Sequence, residues 1–158
     1  MSFLYTVQSN NIAGEKQNMN LPCEVAVKSV IPAIRSAIAR ELTQSYGLKQ
    51  KETAELLGIT QTAVSKYTRF YRGTVIEVQR IEEANVILKE TVSSLANGQM
   101  NKYELVEKLC TICGIIREKG VMCELCSLSD PTIDNSKCRV CCPNGGKTRI
   151  YKPKNEMR

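Results

Sequence analysis

Apolar residues recur at three- and four-residue steps in two long stretches of the chain. In "LPCEVAVKSVIPAIRSAIARELTQSY", residues 21–46, Ile34, Ile38 and Leu42 fall four apart and form one stripe of a helix. Pro22 suits a first turn. Pro32 predicts a break or kink near Val30 or Ile31, because proline lacks the N–H an inner turn needs. Gly47 is the expected stop. In the second stretch, Val75 to Leu95, the stripe is Val78, Ile81, Ala84, Leu88, Val92 and Leu95, with Gln, Arg, Glu and Lys between. "ANG" at 96–98 should end it, and a short helix from Lys102 to Leu109 should deliver Cys110. Residues 1–20 are polar and read as a loose arm. Beyond Cys126 the chain reads as loop, with a turn-rich "SDPTIDNS" and a possible small hairpin around Asn144-Gly145-Gly146.

The shortest region between those stretches carries the most chemistry. "LKQKETAELLGITQTAVSKYTR", 48–69, has the residue grammar of a helix-turn-helix. Ala54 falls where two helices would cross closely, and Gly58 supplies a turn conformation that other residues adopt at a cost. Leu57, Ile59, Val64 and Tyr67 should point into a small core, and Thr60 should cap a second helix from Gln61 to about Phe70. The polar side of that helix offers Gln61, Thr62, Ser65, Lys66 and Arg69, the side chains that bond base edges in a major groove. Gln50 and Thr60 start the two helices, where backbone N–H groups approach phosphate. The alternative is a three-helix domain whose second helix merely shows a solvated polar face.

Charge agrees with the first reading. The chain carries 22 basic and 16 acidic residues, a net +6, which suits a polyanionic partner. Residues 35–72 hold seven basic and three acidic residues, so +4 of that total lies here. At 158 residues there is room for one ordinary domain or a small one with an appendage. With no Trp and 5% aromatics, its core must be aliphatic. The N-terminus lacks a signal-peptide pattern and no 18-residue apolar span occurs, so a cytoplasmic location is expected. No His, Gly-rich phosphate loop or serine-nucleophile motif is present, and no enzyme activity is expected.

The remaining signal is "CTICGIIREKGVMCELC". Cys110-x2-Cys113 and Cys123-x2-Cys126 form a ligand pattern for four thiolates, with Gly114 and the polar Arg117–Gly120 reversal letting the pairs converge. Such a set suits tetrahedral zinc or a cubane iron–sulfur cluster, and spacing does not choose between them. Two disulfides are disfavoured in a reducing compartment, hyperthermophiles excepted, and a redox C-x2-C needs a βαβ context that is missing. Cys138, Cys141 and Cys142 could supply a replacement ligand, a disulfide or a second metal site, while Cys23 reads as a packed residue.

Residues 21–73 strongly resemble a family of archaeal transcriptional regulators with a Cro/repressor-like helix-turn-helix. There a Pro-Cys-Glu start, an Arg- and Ala-rich helix and an "AVSKY" recognition helix occur together, as in Pro22-Cys23-Glu24 and Ala63–Tyr67 here. Members commonly continue into a helical segment and a cysteine motif. With two C-x2-C pairs the chain is similar to iron–sulfur-responsive archaeal regulators, which implies a cluster, [4Fe-4S], on Cys110, Cys113, Cys123 and Cys126, with zinc as the alternative. The expected class is all-α: an arm 1–20, a DNA-binding domain 21–73, a connecting and dimerising helix 74–98, a four-cysteine module 99–128 and a basic tail 129–158. The expected partners are double-stranded operator DNA and a second copy of the chain. A small redox protein is the third reading.

Overall fold

The computed structural model describes residues 20–142, and among these every regular element is a helix. In order they are α1 (Pro22–Lys28), α2 (Val30–Gln44), α3 (Gln50–Leu57), α4 (Gln61–Thr68), α5 (Glu82–Ala96), α6 (Lys102–Glu118) and α7 (Cys123–Ser129). A single 3-10 turn at Val78–Arg80 precedes α5. Residues 1–19 and 143–158 lie outside the described part, and with them the hairpin expected around Asn144–Gly146.

The expected break in the first stretch falls at Ser29, one residue earlier than Val30. Ser29 leaves the helical region at φ −127° and ψ −63°, and its hydroxyl donates to the Val25 carbonyl at 2.7 Å. Pro32 thereby becomes the third residue of a new helix, where a missing N–H leaves no bond unmade. The stripe Ile34, Ile38 and Leu42 is fully buried, joined by Val30, Ala33 and Ala37. Residues on so many sides of one helix are buried because α2 is the hub, packed against α1, α3, α4, α5 and α6.

The second stretch departs further from its pattern. Val78 and Ile81 are buried as expected, yet they lie before the helix, which begins only at Glu82. Apolar spacing fixes which residues face the core but not where the hydrogen-bonded turns begin. Ala84, Leu88, Val92 and Leu95 bury against α2 and α6 of the same chain. The apolar stripe expected to dimerise is therefore used up within one protomer.

Helix α6 is twice the length expected. Asn101 caps it, accepting from the N–H groups of Tyr103 (2.8 Å) and Glu104 (3.1 Å), while the Glu104 carboxylate accepts from the Asn101 N–H at 2.7 Å. From there it runs unbroken through Gly114 to Glu118, since Leu105, Leu109, Ile112 and Ile116 keep one buried stripe. The second cysteine pair lies on α7, which runs on to Ser129, three residues into the stretch beyond Cys126 expected as loop.

Candidate functional site

Two surfaces carry the chemistry singled out above. The first is formed by α3, α4 and the turn between them. Gly58 ends α3 in the left-handed region, φ 61° and ψ 37°, and the Ile59 N–H closes the turn on the Ala54 carbonyl at 3.0 Å. Thr60 caps α4 as expected, its hydroxyl accepting from the Ala63 N–H at 3.1 Å. Ala54, Leu57, Val64 and Tyr67 are buried, and Ile59 packs partly against them. Thr60→Ala is expected to lose about 1 kcal/mol and lower Tm by about 3 °C, read by thermal melting of purified protein.

With its apolar side held against α2 and α3, α4 turns Gln61, Thr62, Lys66 and Arg69 outward as exposed side chains, with Ser65 half-buried beside them. Gln50 is half-buried at the first turn of α3.

One feature of this surface has no clear sequence signal. Phe70 ends α4 with φ 61°, a conformation a bulky residue adopts at a cost of ~1–2 kcal/mol. Its N–H bonds the Tyr67 carbonyl at 3.2 Å, and the next N–H, of Tyr71, bonds the Lys66 carbonyl at 2.9 Å. That is the helix-ending pattern usually built with Gly. The ring stays exposed with the Arg40 guanidinium 4.7 Å from its centre, and Tyr71 is exposed beside it. Two exposed aromatic rings thus follow the C-terminal end of α4.

The second surface is built from thiols. All eight cysteines are described and none is in a disulfide. Cys110, Cys113 and Arg117 lie on one stripe of α6, at steps of three and four. Arg117 donates to Cys141 from Nε (3.4 Å) and Nη2 (3.3 Å), and to Cys23, at the start of α1, from Nη1 (3.6 Å). On the other side the Cys123 and Cys142 sulfurs are 3.2 Å apart and buried. Cys123, Cys126, Cys138, Cys141 and Cys142 line a cavity of about 180 Å³ whose other walls include Met122 and Ile133. The Asn20 side chain donates to the Ser129 carbonyl at 3.1 Å and ties the start of α1 to the end of α7.

Burial pushes the Cys113 thiol up against the opposing pull of Arg117, and the thiols acting on it are Cys110, Cys23 and Cys141. Cys123 is pushed up to about 12, first by burial and then by its bond to Cys142. Burial also raises Cys126, whose thiol neighbours are Cys141, Cys138 and Cys142. Cys141 thus neighbours both predicted pairs, while Cys23 acts on Cys113 alone and Cys138 and Cys142 act on Cys123 and Cys126. Among the described residues, no three cysteine or carboxylate side chains converge closely enough to hold a metal ion.

No family model, curated protein or solved structure compared with the chain matches it. Any functional reading therefore rests on these two surfaces. Among the described residues, no helix is long and apolar enough to cross a membrane.

Proposed function

We propose that the protein is a sequence-specific DNA-binding transcriptional regulator, reading duplex DNA through a helix-turn-helix made of α3 and α4. The observation that carries this reading is the outward row Gln61, Thr62, Lys66 and Arg69 on a capped helix. Amide, hydroxyl and cationic groups on one helix face are what a major groove requires of an entering helix. The chain acts as a two-fold dimer, since one such helix makes few contacts. Because the apolar stripe of α5 is covered within the protomer, the dimer uses another face.

A thiolate-bound iron–sulfur cluster gates this binding, with the C-x2-C pairs Cys110/Cys113 and Cys123/Cys126 among its ligands. The donors fit such a group: they are all sulfur, partly shielded from water, and set beside a guanidinium that offsets thiolate charge. When bound, the cluster supplies sensitivity to iron supply and oxidants. The chain supplies the coupling: α6 packs on α2, and α2 packs on α4, so a change at the thiols reaches the recognition helix through one shared element. The second reading is a structural zinc on the same thiols. A redox-active C-x2-C is the weakest reading, because burial raises Cys113, Cys123 and Cys126, and such thiols are poor nucleophiles.

The test starts with duplexes selected from a random pool by protein purified without oxygen. Binding should tighten steeply as salt is lowered, as phosphate contacts demand. Failure to enrich any duplex would remove the DNA reading. Cys113→Ser should then remove the cluster that Cys113 ligates and shift operator affinity by about tenfold, ~1.4 kcal/mol, with far-UV circular dichroism unchanged. Equal affinity with the cofactor gone would end the gating idea and leave DNA binding intact.

A further inference from the structure

We infer that the eight cysteines form two separate four-thiolate metal centres: Cys23, Cys110, Cys113 and Cys141 around Arg117, and Cys123, Cys126, Cys138 and Cys142 at the adjoining apolar cavity. The inference rests on the metal-dependent reading above and changes its ligand assignment.

The decisive observation is the divergence of two neighbours in the chain. Cys142 puts its sulfur 3.2 Å from Cys123 of α7, whereas Cys141 takes two hydrogen bonds from Arg117 of α6. Arg117 reaches Cys23 as well, which brings α1 to the same place. Cys110 and Cys113 stand on the Arg117 stripe, two turns and one turn before it respectively. That accounts for the first set. The second follows from the cavity, which Cys138 lines together with Cys123, Cys126 and Cys142 beside Met122 and Ile133. Cys141 and Arg117 line this cavity too, so together they form the wall between the centres.

Each set has one C-x2-C pair held on a helix and two thiols distant from it in sequence. Along the chain the memberships interleave: one at 23, then 110 and 113 in the first set, 123, 126 and 138 in the second, 141 in the first, 142 in the second. Such crossing ties α1, α6, α7 and the helix-free segment 130–142 together. A single centre on Cys110, Cys113, Cys123 and Cys126 would leave four further thiols unexplained at its edge. The sulfurs do not yet meet at a point, but Cys138, Cys141 and Cys142 belong to a segment without regular structure and can close on pairs that α6 and α7 hold in place. Binding replaces each thiol proton by a sulfur–metal bond and releases the proton to solvent. With no His in the chain, all-sulfur coordination restricts the ligand to a thiophilic centre, zinc or an iron–sulfur cluster.

The test is metal and acid-labile sulfide content per chain, on full-length protein purified without oxygen, for wild type, Cys23→Ser, Cys142→Ser and the double variant. Cys23 is exposed, so its variant should fold, and far-UV circular dichroism checks all four. Two centres are expected in wild type, one in each single variant and none in the double. Sulfide with iron identifies clusters, and zinc without sulfide identifies metal ions. One centre per chain that survives in both single variants would overturn the two-centre assignment while leaving a metal-dependent regulator standing. No centre in any preparation would overturn both.

Discussion

Gly73→Ala is expected to lower the melting temperature by about 10 °C, a loss of roughly 3 kcal/mol or more for one added methyl group. Gly73 is buried with φ +71°, where an alanine is already strained. Space is the larger objection. A Cβ there would lie 2.6 Å from the Ser36 Cβ and run into the Pro32 carbonyl oxygen. Neither neighbour is free to move, because both belong to α2, whose other contacts hold most of the core. Gly58→Ala is the control: it has comparable backbone geometry with nothing within 4 Å of the added atom, so only the conformational cost of about 1 kcal/mol applies. Equal melting temperatures for the two variants would show that the chain after α4 does not approach α2 this closely.

The double variant Lys66→Ala/Arg69→Ala is expected to weaken operator binding by roughly a hundredfold, about 3 kcal/mol, at fixed salt. Both side chains are exposed on the outward face of α4 and outside the core. Their removal should leave the melting temperature within about 1 °C of wild type, as for surface substitutions generally. Competition binding with a selected duplex and a scrambled one separates their roles. If Arg69 reads a base, its single variant should also lose discrimination between the two; a phosphate contact should weaken both equally and reduce the salt dependence. Affinity within threefold of wild type would mean that α4 is not the reading helix. In that case its polar row would be a solvated surface and nothing more.

Much of the fold was legible in the residues because helix signals are local. The all-α class, the cap at Thr60, the turn at Gly58 and the buried faces of α2 and α4 follow from neighbours within five residues. Boundaries were less legible. The 75–95 pattern placed Val78 and Ile81 correctly in the core but overran the helix, since a 3-10 turn and the helix after it bury residues at similar spacing. Phe70 gave no warning, because its left-handed backbone occupies a position where glycine is the usual sign.

The chain's own residues determined how many thiols there are, that nitrogen ligands are absent, and which side chains α4 offers to solvent. Those depend on composition and on one helix's periodicity. Tertiary structure alone decided that α5 spends its apolar stripe on α2 and α6, that Gly73 lies against Pro32, and that Cys141 and Cys142 part company. The reason is the same in each case: these contacts join residues separated by tens of positions. Cys23 and Arg117 stand 94 residues apart in the chain yet share a hydrogen bond. No spacing rule reaches that far, because only the closing of the aliphatic core around α2 brings such segments together.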